Sequence, residues 1–202
     1  MTEADAQDWI AERFGRQAVD RVGQFGALLV AEAQQQNLIA PSTIPTLWVR
    51  HLLDSAQLAL WGGDGGRWID VGTGGGLPGM VLAILLDRPF TLVEPRRLRA
   101  RFLEFCADRL GLTGRVVVQD RRIETVRERA ATISARAVSP LDVLIASARH
   151  CADRSTIWVL PRGQGGAREV ERLAMAAPAT FHVKPSVSDP AAAIVVATGI
   201  GA

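Results

Sequence analysis

The sequence predicts an α/β protein: an open, mostly parallel seven-stranded sheet with helices on both faces, preceded by a helical segment and closed by an antiparallel hairpin. Three observations carry this reading. Before residue 62 the apolar residues recur at helical spacing. From residue 67 onward short apolar runs alternate with helix-length stretches, the rhythm of successive βαβ units. The last two apolar runs are separated by a turn too short for a crossover helix, which requires them to pair antiparallel.

Taken in order, Val19, Val22, Phe25, Leu29 and Ala33 lie three and four apart and lay one apolar stripe along a helix. Asn37 ends that helix, Pro41 and Pro45 bracket a loop, and a second helix is expected over residues 47–60. Gly62-Gly63-Asp64-Gly65-Gly66 then breaks the chain. Residues 1–66 therefore read as an N-terminal helical unit packed on a main domain of residues 67–202. Strands are expected over residues 67–71, 89–94, 115–119, 131–134 and 156–160, each followed by a helix-length segment. Residues 141–146 would serve as a strand by periodicity. They read as a helix because Pro140 suits a first turn and the pattern continues to Cys151. Residues 181–184 and 193–197, joined through a Pro-Ser-Val-Ser-Asp-Pro turn, form the hairpin.

Composition bounds the function. A chain of 202 residues fits one compact domain with an extension, at roughly 100–200 residues per domain. With 48% hydrophobic and 22% charged residues it is neither disordered nor fibrous. The longest apolar run, residues 80–86, is far short of the ~20 residues a bilayer span needs. Residues 1–20 lack the charged, apolar and small-residue regions of a secretory signal, so a cytosolic protein is expected. Cys106 and Cys151 form no disulfide framework and no metal-spaced pair, which predicts reduced thiols and no metal. Of the 23 basic residues only Lys184 is lysine. Arginine's planar fork suits phosphate and base edges, yet the same bias follows from GC-rich coding. A net charge of +2 with 21 acids is not that of a protein that binds polyanions by bulk charge.

The most informative segment runs from Trp68 to Gly79, a strand leading directly into glycines and then a helix. Glycines there let the backbone pass close to a nucleotide-like ligand. Read from Gly74, the segment satisfies G-x-G-x-x-G with Glu94 20 residues on, the fingerprint of a dinucleotide site. Read from the strand end, it is D-x-G-x-G-x-G, with Asp70 before Gly72, Gly74 and Gly76. An acid at the strand end, facing the ligand, repels a pyrophosphate but suits the ammonium and sulfonium of S-adenosylmethionine. The second frame, and the methyl donor, are preferred. Glu94 suits two ribose hydroxyls in either case.

These residues resemble a known family. Arg50-His51-Leu52-Leu53-Asp54-Ser55, Asp70-Val71-Gly72-Thr73-Gly74 with Gly76-Leu77-Pro78-Gly79, and Arg99 with Arg101-Phe102-Leu103 look like the RsmG (GidB) family. Asn37-Leu38, Arg122-Ile123-Glu124, and Ser134 with Arg136-Ala137 extend the match to about residues 20–200. The resemblance implies a Rossmann-like class I methyltransferase fold and S-adenosylmethionine-dependent methylation of 16S ribosomal RNA at N7 of a guanine, position 527 in the family. It implies donor contacts at Gly72, Leu77, Ile123, Glu124 and Arg136, with Glu94 in the ribose-binding place. The implied partner is 16S rRNA or the small-subunit particle, met by a monomer without a membrane. A same-fold enzyme acting on another RNA or a small molecule, and a module that binds the cofactor without transferring methyl, are the alternatives.

The chain departs from the family where Leu98-Arg99 replaces a basic pair and where Leu160-Pro161-Arg162-Gly163 replaces Leu-Lys-Gly. The C-terminal hairpin also lacks the family's basic turn. Guanine N7 carries a free lone pair and no proton, so no general base is required; approach geometry is. Arg136 and Arg162, at the carboxyl ends of the fourth and fifth strands, are the expected substrate-positioning residues. His51, three residues before Asp54, Arg99 and Arg101 are candidate RNA contacts, whereas Leu98, Phe102 and Phe105 are expected in the core.

Overall fold

A computed structural model describes residues 1–136, 139–163, 169–171 and 179–201. Ala137, part of the motif around Arg136, lies outside the described residues. The sheet is seven-stranded: β1 (Trp68–Val71), β2 (Phe90–Val93), β3 (Val116–Gln119), β4 (Thr132–Ser134), β5 (Ile157–Arg162), β6 (Thr180–Pro185) and β7 (Ala193–Thr198). Their order is β3-β2-β1-β4-β5-β7-β6. The first five are parallel, while β7 runs antiparallel between β5 and β6. Strand succession reverses between β1 and β4. In open α/β sheets the crevice at such a switch point, beyond the carboxyl ends of the strands, receives the ligand.

The pleat divides the core in two. Trp68, Phe90, Leu92 and Val159 point to one face, where they pack with α1 (Glu3–Phe14), α2 (Arg16–Glu32), α4 (Gly79–Leu85) and α5 (Arg97–Arg109). Ile69, Val71, Ile133 and Trp158 point to the other, against α6 (Leu141–Ala148). The N-terminal helices thus share a continuous core with the sheet.

Three local expectations are corrected. Residues 47–60 are not one α-helix: a π-turn (Trp48–Leu53) leads through α3 (Asp54–Ala56) into a 3-10 turn (Gln57–Trp61). Its start is tied from outside, because the Trp48 and Val49 N–H groups donate to the Glu3 carboxylate at 2.9 and 3.0 Å. Between β3 and β4 there is no crossover helix but a single 3-10 turn (Ile123–Thr125), after which Val126 is extended. Finally, Leu98 and Phe105 are not core; they are 65% and 50% exposed. The buried stripe of α5 is Phe102, Leu103, Cys106 and Ala107, and the two large residues lie off it. Both cysteines are free and buried.

Candidate active site

The turn after β1 is built by its glycines in two different ways. Gly72, Gly74 and Gly76 have φ of 64°, 58° and 92°, a region that side chains resist. Gly75, Gly76 and Gly79 are also packed tightly on the protein side. A Cβ on Gly75 would come within 2.9 Å of Leu29, one on Gly76 within 2.9 Å of Phe25, and one on Gly79 within 2.4 Å of Leu92. Gly74 is the opposite case, since its Cβ would meet nothing nearer than Arg99 Nη1 at 3.8 Å. The turn is wedged onto the core from below and leaves bare backbone above.

Asp70 is the pin of this turn. The sequence predicts a carboxylate that faces the ligand; in the structure it is fully buried and both oxygens are occupied. Oδ2 accepts the Gly79 N–H at 2.9 Å, and Oδ1 accepts the Ser134 hydroxyl at 2.6 Å. Ser134 in turn accepts the Trp68 indole N–H at 2.8 Å. The Thr73 hydroxyl lies toward the same carboxyl but outside hydrogen-bond geometry. Burial pushes the Asp70 carboxyl up to about 6, against the hydrogen bonds led by Ser134 and the charge of Arg136. Asp70 therefore fixes where α4 begins relative to β1 and β4, and does not itself face the crevice.

Glu94, just past β2, is 3% exposed and grips the turn from the other side. Its Oε2 accepts the Gly74 N–H at 2.9 Å and its Oε1 the Arg96 N–H at 2.8 Å. A carboxylate oxygen has two lone-pair directions, so each retains one for a hydroxyl. Unobstructed backbone at Gly74 beside a two-oxygen acceptor fits a nucleoside with a ribose diol. The other carried-over positions vary. Leu77 is buried in the first core, and Ile123 is buried in the 3-10 turn after β3. Glu124 is half exposed, held at 3.2 Å by Arg122.

A cleft of about 390 Å³ opens over the ends of β4, β5 and β7. Arg50, His51, Asp54, Arg136, Arg162 and Ser188 are among the residues that line it. Arg136 Nη1 reaches Asp54 Oδ2 at 3.4 Å, and both its terminal nitrogens lie 3.5 Å from His51 Nδ1. The His51 tautomer follows from the bonding. Thr43 donates its hydroxyl to the Ala40 carbonyl at 2.7 Å, so at 2.7 Å from His51 Nε2 it must accept, which places the proton on Nε2. Nδ1 is then an acceptor for the arginine. Burial, reinforced by Arg136, lowers His51 to about 4, so the imidazole is neutral near pH 7. Arg162 is the deepest of the cleft's arginines, with a side chain 9% exposed; it donates to the Ser139 carbonyl at 3.1 Å and lies 3.7 Å from Glu169. Burial lowers its pKa.

The structure thus brings His51, Asp54 and Arg136 together and puts Arg162 in the same cleft. Arg99 stands at the rim of the glycine turn, donating to the Asn37 carbonyl at 2.8 Å, while Arg101 is exposed on α5. Sequence reasoning missed Thr43, Gln57, Ser186 and Ser188, and took Ser134 only as part of a motif. Their partners lie up to 134 residues away, and for the four missed residues only the turn composition before Pro190 gave a hint. Among the described residues no cluster of His, Cys, Asp and Glu could hold a metal, and no helix is long and apolar enough to cross a membrane.

The architecture recurs in solved structures. Cofactor-bound Rv0187 from MTB aligns with a TM-score of 0.69 at 16% identity, covering 96% of this chain and 95% of its own. A glycopeptide N-methyltransferase complexed with sinefungin gives 0.64 at 11%, covering 75% and 87%. Fold and crevice define the class, a Rossmann-like α/β protein with its ligand crevice at the switch point of the sheet. Residues 19–188 match rRNA small subunit methyltransferase G (GidB), and the chain belongs to that family. The ribosomal RNA small subunit methyltransferase G of Rhizorhabdus wittichii is 43% identical over 204 residues, covering 99% of this chain and 94% of its own. That of Zymomonas mobilis is 38% identical over 212 residues, covering 99% and 95%.

Proposed function

We propose that the protein transfers the methyl group of S-adenosylmethionine to N7 of a guanine in 16S rRNA, the position numbered 527 in the family. The observation that carries the reading is the state of the cleft's titratable groups. Asp54 is tied to Arg136, Gln57 and Ser188, and neutral His51 turns its lone pair onto Arg136. Both spend their acceptor atoms on partners within the protein, and N7, which bears no proton, needs no base. When bound, S-adenosylmethionine supplies an electrophilic methyl on a sulfonium. The chain's residues do the rest by placement.

Gly72 and Gly74 offer bare backbone, and Glu94 accepts the ribose hydroxyls. The backbone around Ile123 and Glu124 closes the crevice beyond β3. Asp70 holds the turn still. Arg136, between turn and cleft, and Arg162, deeper in the cleft, hold the nucleotide through phosphate or the O6 edge and leave the N7 lone pair free. Residues 1–66 supply one wall of the cleft through Arg50, His51 and Asp54, while residues 67–202 supply the cofactor side. Arg99 and Arg101 carry the flanking RNA as it leaves the rim. The enzyme acts in the cytoplasm, as a monomer, on the small-subunit particle or its RNA.

Mapping N7-methylguanine along 16S rRNA from cells with and without the protein tests this, and loss of one modified guanine in its absence is expected. An unchanged map rules out the substrate. Equilibrium titration with S-adenosylmethionine and with NAD tests the cofactor; tight NAD binding alone would reject the assignment.

A further inference from the structure

The turn between β6 and β7 is fastened to the far side of the cleft through one carboxylate. Asp54 Oδ1 accepts the Ser188 hydroxyl at 2.7 Å and the Gln57 amide at 3.1 Å. Its other oxygen, Oδ2, is the one that faces Arg136 Nη1 at 3.4 Å. Gln57, 1% exposed, completes the fastening: its Oε1 accepts the Val187 N–H at 2.7 Å, and its Nε2 lies 3.0 Å from Ser186 Oγ. Arg50 pairs with Asp189 at 3.4 Å at the edge of the same turn. The bond lengths give this network a direction. The contacts from the turn to Asp54 and Gln57 are short, whereas those from Asp54 and His51 to Arg136 are 3.4–3.5 Å. The carboxylate is thus bound more closely to the turn than to the guanidinium. In a partly buried polar network, removing one short bond lets its partner reorient and is felt at the next member.

We propose that Asp54 is a positioning residue that couples the β6–β7 turn to Arg136, so that Ser188 and Gln57 set the angle at which the arginine meets the target nucleotide. The turn also lines the cleft through Ser186, Ser188 and Asp189, so a nucleotide seated there touches the element that aims the arginine. The inference rests on the assignment of this cleft to the substrate.

The test is a double-mutant cycle on methyl transfer to small-subunit particles, joined to a readout that needs no transfer. Ser188→Ala is expected to lower kcat about tenfold with cofactor Kd unchanged, and Ser188→Thr, which keeps the hydroxyl, to restore it to within about twofold of wild type. Adding Ser188→Ala to Arg136→Lys is expected to change kcat by less than about twofold beyond Arg136→Lys alone, since the arginine is then no longer there to be aimed. Independently, the NMR signal of the Arg136 Nε–H group, assigned by its loss in Arg136→Lys, is expected to show greater mobility in Ser188→Ala than in wild type. Additive losses in kcat, failure of threonine to rescue, or an unchanged Arg136 signal would each overturn the coupling. A wild-type protein that methylates nothing on 16S rRNA removes the functional reading, and the guanidinium signal still decides the coupling.

Discussion

Asp70 shows how one residue shapes the site without entering it. Its carboxyl, pushed from 3.8 to about 6 chiefly by burial, binds its proton more tightly in the folded chain than in the unfolded one. The sign follows: the stability this group contributes is complete below about pH 4 and is lost as pH rises through about 6, with a ceiling of about 3 kcal/mol. Denaturant melts of wild type and Asp70→Asn across that range check it. The wild-type protein's stability relative to the variant is expected to shrink as pH rises; a difference that stays constant refutes the assignment of the shift to this residue. The residue was legible as important, since an acid at a strand end before glycines is a strong signal. Its direction was not. Whether such a carboxylate faces the crevice or α4 depends on Ser134, 64 residues on, and on a Gly79 N–H that a helix start leaves free.

At the scale of elements, Arg88 and α5 carry separate predictions. Arg88, just before β2, donates to the carbonyls of Gly62, Gly63, Gly65 and Gly66 and to Thr132 Oγ1, and so holds the glycine loop that the sequence marks as a break. Arg88→Ala should lower unfolding stability by about 2–4 kcal/mol, and Arg88→Lys should recover less than half, because a point charge cannot satisfy a fork-shaped set of acceptors. Full recovery by lysine in denaturant melts would show that charge alone matters. On α5, Arg101 is exposed, and among the described residues no ion pair holds it. If it contacts an RNA phosphate, Arg101→Ala should reduce the slope of log K for RNA against log salt by about 0.7–0.9 with an unchanged Tm. An unchanged slope assigns the arginine to solvated surface. The α5 misreading had a remedy in the sequence itself: Phe102, Leu103, Cys106, Ala107 and Leu110 form a complete apolar stripe, which leaves no room on that face for Leu98 and Phe105. The irregular helix over residues 48–61 had none, because Glu3 caps it from another element and Gln57 is drawn to Val187, 130 residues away.

For the whole molecule, what periodicity encodes was readable: the strands, the hairpin, α2 and α6 all lie near their expected places. Strand order and the second cleft wall arise from contacts between distant segments, which leave no local pattern. The proposed division, with the cofactor at the glycine turn after β1 and the nucleotide in the cleft over β4, β5 and β7, is open to test by separating the two. Gly72→Val places a β-branched side chain at φ +64° and should abolish binding of S-adenosylmethionine. Arg162 sits in the cleft against Glu169 and donates to the Ser139 carbonyl. Replacing it alone would strand a mostly buried carboxylate, so Arg162→Gln is paired with Glu169→Gln to keep the charge balanced. That double variant should bind S-adenosylmethionine within about twofold of wild type by calorimetry while its methyl transfer rate falls at least about tenfold. Lost cofactor affinity in the double variant would mean that the two sites are one, with Arg162 reaching the donor; retained transfer would remove Arg162 from the substrate side and leave Arg136 as the residue that holds the nucleotide.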